Sequence, residues 1–142
     1  MSSAVDVNVL LDASDSSSRF HEEGRATLDR LIAGPDLLYL FWPVLMGYLR
    51  IATHPSVFPR PISPAEAAAN VGELLALPHA RIVGEEEGFW GVFQAATKGM
   101  TVRGNLVPDA HLVALMRQSR GTSAPPGRAL PLVRRRVTGE VE

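Results

Sequence analysis

Ala4-Val5-Asp6-Val7-Asn8-Val9-Leu10-Leu11 is the stretch on which the reading of this chain turns. A short run rich in Val and Leu reads as a strand buried on both faces, as in a parallel sheet covered by helices. Asp6 is the odd member. A desolvated carboxylate needs a cation, a donor network or a proton. Two readings therefore stand side by side: Asp6 holds a metal ion, or it accepts backbone donors where strand becomes loop.

Outward from this strand, the polar run Asp12-Ala13-Ser14-Asp15-Ser16-Ser17-Ser18 supplies turn and cap formers. Phe20, Gly24, Leu28, Leu31 and Ile32 then recur at helical spacing up to a Gly34-Pro35 stop, with His21 a solvated residue at the helix start. Leu37 to Phe41 predicts a second strand, and Trp42-Pro43 to Ala52 an apolar helix with one charge, Arg50. Gly47 inside that helix costs about 1 kcal/mol relative to Ala, which points to close packing or a nearby ligand. Ser63-Pro64-Ala65-Glu66 combines an N-cap, a first-turn proline and a capping-box acid, starting a helix that runs to about Leu77. Ala80 to Val83 predicts a strand. Glu85-Glu86-Glu87 suits the positive end of the next helix, whose apolar face is Phe89, Trp90, Phe93 and Ala96. Val102 to Pro108 is a loop leading into a last helix, with Asp109 in its first turn. Strands alternating with helices imply a covered parallel sheet, whose ligands bind beyond the carboxyl ends of strands.

With 142 residues, 46% of them hydrophobic, the chain is long enough for one domain with a real core. It has no run near the ~20 apolar residues of a membrane span and no secretory start, so a cytoplasmic protein is expected. The absence of Cys excludes a disulfide framework and a thiolate zinc site or nucleophile. The four His residues lack zinc-site spacing, and no glycine-rich loop for a nucleotide is present. Charge is uneven: residues 117–142 hold six of the 14 basic residues and two Glu, a net +4 against −5 for the rest.

Three separated segments carry a resemblance. Asp6-Val7-Asn8-Val9-Leu10-Leu11, the run Trp42-Pro43-Val44-Leu45-Met46-Gly47-Tyr48-Leu49-Arg50-Ile51-Ala52-Thr53-His54-Pro55, and Gly104-Asn105-Leu106-Val107-Pro108-Asp109-Ala110-His111-Leu112 resemble, in order and spacing over residues 4 to about 116, the PIN-domain ribonuclease toxins of VapC type. The resemblance implies a three-layer α/β/α sandwich with a short parallel sheet. It implies an acidic cluster holding Mg²⁺ or Mn²⁺, with Asp6 and Asp109 as catalytic metal ligands and Asn8 as an outer candidate. It further implies hydrolysis of phosphodiester bonds in RNA, inhibition by a cognate antitoxin protein, and a homodimer. The chemistry is coherent: hard cations prefer oxygen ligands and can activate water while neutralising phosphate charge.

The pattern departs from the family in two places. Where many members carry Glu in the third helix, this chain has Gly47. After Gln118, where members continue with a strand, an acidic turn and an aromatic final strand, residues 119–142 are rich in Arg, Pro, Gly, Ala and Ser with no Asp or aromatic residue. Residues 1–118 are therefore expected to form the PIN-like domain, with its C-terminal strand region lost. Residues 119–142 are expected to form an irregular basic tail, as low hydrophobicity and positive charge favour, with no strand at 130–133. Such a composition also arises when a GC-rich coding sequence is read out of frame. A second reading follows from these departures: a non-catalytic PIN-like protein with an incomplete metal site that still binds an antitoxin. A third, an acid-nucleophile phosphohydrolase, is disfavoured because Asn8 stands where such enzymes carry a second Asp.

Overall fold

The opening run breaks at its own carboxylate. In the computed structural model, which describes residues 2–123 and 132–133, strand β1 covers Ser2–Val5 and helix α1 covers Val7–Ser14. Asp6 is the N-cap between them, with φ −86° and ψ 155°, and its side chain accepts a hydrogen bond from the Val7 amide at 2.8 Å. The strand expected over residues 4–11 thus ends at Val5. Val7 to Leu11 turn helical because an Asp at an N-cap satisfies an amide that the first turn cannot. Val9 and Leu10, read as strand residues, are buried on the inner face of α1.

The other elements follow in alternation. Helix α2 is His21–Ala33, β2 Leu37–Phe41, α3 Trp42–Ala52, α4 Pro64–Leu75, β3 Ala80–Val83, α5 Phe89–Ala96, α6 Leu106–Ser123 and β4 Leu132–Val133. Gly34 closes α2 at a φ of +76°, a conformation open to glycine. Ser63 caps α4 as its sequence predicts, accepting from the Glu66 amide at 3.1 Å. The strands form one parallel sheet in the order β3-β2-β1-β4. Ala4 lies opposite Tyr39, and Phe41 opposite Val83, so the central strands are in step at their carboxyl ends.

Two expectations about the C-terminal region are corrected. Helix α6 runs through residue 118 to Ser123, and Leu132–Val133 pairs with Ala4 and Val5 as β4 where no strand was expected. Residues 124–131 and 134–142 of the expected tail lie outside the described residues.

The core forms where the sheet meets the helices. Ala4, Val5, Leu38, Leu40 and Phe41 of the sheet are almost wholly buried, with Leu45 of α3 and Leu115 of α6 against them. On one side the helices interlock closely. A Cβ on Gly24 of α2 would lie 2.8 Å from Asp12 Cβ and 3.1 Å from the Ala13 amide nitrogen, so only glycine lets α1 and α2 approach this far. The polar run between them is built in: buried Asp12 accepts from Ser18 Oγ at 3.0 Å, and buried Asp15 accepts from the Ser17 hydroxyl at 2.6 Å. His21, expected to be solvated, is half-buried and its Nδ1 donates to the Asp12 carbonyl at 2.8 Å.

Candidate active site

Parallel strands place their carboxyl ends on one edge, and three residues succeed the first three strands there: Asp6 after central β1, Trp42 after central β2 and Gly84 after edge strand β3. This is the edge where open α/β sheets bind ligands. Asp6 stands on a rigid base, since Ala4 and Val5 before it are buried. Its carboxylate is half-buried and turned toward the Val7 amide. Asn8, one residue into α1 from Val7, is exposed.

Asp109 arrives from the other side of the chain, on α6, where the expected first-turn position is observed. Its turn is exposed throughout, from Leu106 to Asp109. Two contacts that the sequence does not announce tie α6 to residues 84–86, just beyond the end of β3. Gln118 donates from Nε2 to the Gly84 carbonyl at 2.9 Å and accepts the Glu86 amide at 3.0 Å, so one side-chain amide pairs with the connector as a strand would. Glu85 pairs with His111 Nε2, two residues beyond Asp109, and Phe89 packs against the His111 ring with centroids 5.5 Å apart. A backbone hydrogen bond at Glu85 itself, and then the His111 contact, hold the Glu85 carboxyl below the usual carboxylate range. Glu85 is therefore more than a helix-entrance charge. The only hint in the sequence is that His111 falls in a family-like segment.

The vacancy at Gly47 has a place in this geometry. A Cβ there would lie 3.7 Å from a Val7 methyl, in ordinary contact range, so the position faces the residue that follows Asp6.

A divalent cation of the Mg²⁺ class takes oxygen ligands and keeps several waters. Among the described residues, no three His, Cys, Asp or Glu side chains gather so as to hold a metal ion. Asp6, Asp109 and Asn8 therefore do not make a complete cage as they stand. The described side chains do provide a half-buried carboxylate at the head of a helix, a second carboxylate on an exposed turn, and a paired Glu85–His111 beside it.

No family model matches the chain. It is 48% identical over 117 residues to "Ribonuclease VapC48" of Mycobacterium tuberculosis, covering 82% of this chain and 81% of that protein. It is 36% identical over 118 residues to "Ribonuclease VapC43" of the same organism, covering 83% and 80%. The chain belongs to the VapC family of ribonucleases. Its fold agrees: the crystal structure of Mycobacterium tuberculosis VapC20, described as a sarcin-ricin loop cleaving toxin, superposes with a TM-score of 0.57 over 82% of each chain at 13% identity. VapC ribonucleases generally depend on a divalent metal and pair with VapB antitoxins. The α/β architecture inferred from the alternation of strands and helices is thus that of a VapC PIN domain.

Proposed function

We propose that this chain is the toxin of a toxin-antitoxin module, an endoribonuclease that hydrolyses phosphodiester bonds in RNA with Mg²⁺ or Mn²⁺. It acts in the cytoplasm as a homodimer and is restrained by a cognate antitoxin. The observation that supports this most is Asp6, a half-buried residue at the carboxyl end of a central strand in a chain that belongs to the VapC family. Asp6 and Asp109 are the residues we assign to catalysis and metal binding, with Asn8 as an outer contributor. No helix among the described residues is long and apolar enough to cross a membrane. Phosphate contacts make RNA affinity fall as salt rises.

A second reading has its own support. Gly47 and the lack of a three-acid group among the described residues favour a non-catalytic protein that keeps antitoxin binding. Cleavage of a labelled structured RNA with and without Mn²⁺ separates the two. Asp6→Asn is the informative variant, because Asn caps a helix as well as Asp does, so the fold is retained while the charge is lost. The nuclease reading expects metal-dependent cleavage that falls at least about 100-fold in Asp6→Asn, a loss of about 2.7 kcal/mol in transition-state stabilisation. Equal, metal-insensitive cleavage by both proteins refutes it. Capture of a small antitoxin without cleavage supports the second reading.

A further inference from the structure

Trp42 heads α3 at the carboxyl edge of the sheet, yet it is 40% exposed. Phe41 before it and Val44 and Leu45 after it are buried, which fixes the backbone and leaves the indole facing outward. Met46, one turn further along α3 and so on the same side of the helix, is 48% exposed. Tryptophan is highly buried on average, so a half-exposed one at the ligand-binding edge of an open sheet points to a ligand. The indole is also held in place. A Cβ on Gly84 would lie 3.0 Å from its Cδ1 and 3.7 Å from its Nε1, so the five-membered ring rests on the Gly84 backbone, where a side chain would displace it. Gln118 fixes that backbone from α6, donating to the Gly84 carbonyl at 2.9 Å.

Asp6 is one strand away. Ala4 lies opposite Tyr39, so Asp6, two residues on, comes level with Phe41, and neighbouring strands stand ~4.8 Å apart. The chemistry around the indole selects what it binds. Asp6 on one side, and Glu85, Glu86 and Glu87 after Gly84 on the other, are carboxylates that repel a phosphate but not the uncharged face of a base. Unpaired bases of RNA loops stack on aromatic side chains. Size disfavours a protein partner: two exposed side chains fall far short of the ~1,200 Å² that a stable protein interface buries, whereas a single base covers an indole.

We propose that Trp42, flanked by Met46, is a stacking platform that seats one unpaired base of the RNA beside Asp6, so that this chain selects looped over fully paired RNA. The inference rests on the ribonuclease reading above and names the feature of the substrate that the site reads. Gly84 and Gln118 serve it indirectly, the first by leaving room for the indole and the second by holding the backbone beneath it.

The test is the kinetics of the full chain with Mg²⁺ on a labelled RNA hairpin carrying an unpaired purine loop, with a blunt duplex of the same stem as competing inhibitor. Trp42→Ala and Trp42→Leu are expected to raise KM for the hairpin about 5- to 100-fold, the range for losing one stacked base, with inhibition by the duplex and the circular dichroism spectrum unchanged. Trp42→Phe keeps an aromatic face and most of the affinity. In Trp90→Phe, Trp42 is the only tryptophan, and its emission should be quenched by the hairpin and not by the duplex. A hairpin KM that is equal in Trp42→Ala and wild type, or Trp42→Leu matching Trp42→Phe, overturns the platform and leaves the nuclease reading standing. Wild type that cleaves neither RNA overturns that reading, and the emission of Trp42 then decides the platform alone: no quenching by the hairpin overturns it. Loss of antitoxin capture or a changed molecular mass in Trp42→Ala, with hairpin kinetics intact, assigns the face to a protein and likewise overturns it.

Discussion

Asp6 and Asp109, the two carboxylates proposed for the site, stand on unequal supports. Asp6 follows two buried residues of a central strand and heads a helix locked against α2 through Gly24. Asp109 sits in an exposed turn whose apolar neighbours, Leu106 and Val107, face solvent. Helix α6 is anchored instead from its middle, by buried Leu112, Ala114 and Leu115, and by the Gln118 clamp on residues 84–86. The contrast shows that one carboxylate is placed by the hydrophobic core and the other by an anchored helix whose leading turn is left uncovered.

The largest test of this contrast lies within α6. Leu115→Ala deletes a fully buried side chain and is expected to cost about 2–5 kcal/mol, whereas Leu106→Ala, at an exposed position, should stay within about 0.5 kcal/mol. Urea unfolding of the two variants checks it, and equal losses would mean that the leading turn is as firmly packed as the middle. Next in size comes a pair of glycines. Gly24→Ala forces a methyl against Asp12 and the Ala13 backbone and should destabilise by about 1–3 kcal/mol. Gly91→Ala meets nothing and should stabilise by up to about 1 kcal/mol through helix propensity. Thermal unfolding reads both signs; two changes of one sign would erase the difference between the interlocked side and the open one.

Much of this arrangement is legible in one sequence, and the illegible parts have physical causes. Ser63-Pro64-Ala65-Glu66 starts a helix because its cap chemistry is local, and Gly34-Pro35 stops one for the same reason. The break at Asp6 is harder. Val7 to Leu11 is as apolar as Ala4 and Val5, so hydrophobicity alone reads one long strand. Only the capping role of the Asp side chain divides it. Asp6 is visible as a carboxylate inside an apolar run, whereas Asp109, whose helix-start position the dipole explains equally well, is a candidate only through the family resemblance. The contacts that tie α6 to residues 84–86 are not visible. Glu85 with His111, and Gln118 with Gly84 and Glu86, join residues 26 to 34 positions apart, a separation at which periodicity has no reach. Gly24 carried a readable signal, a glycine inside a helix, whose reason is the neighbouring helix seen only in three dimensions.

The smallest effect concerns the fastening of the exposed side. Glu85 lies at the surface, so its pairing with His111 should contribute at most about 1 kcal/mol. Its carboxyl is held below the ordinary range in the folded chain, so folding favours the ionised form. That contribution is complete above the ordinary Glu pKa of about 4.3 and fades as pH falls through the lowered folded value. Glu85→Gln should therefore lower the melting temperature slightly at pH 6, and the gap from wild type should close below about pH 4. A gap that persists at pH 3 would show that side-chain shape, rather than charge, fastens the connector to α6. If the substitution also weakens RNA cleavage while Gln118→Ala does not, the His111 end of the helix controls Asp109; the opposite ranking would give that control to the clamp at its far end.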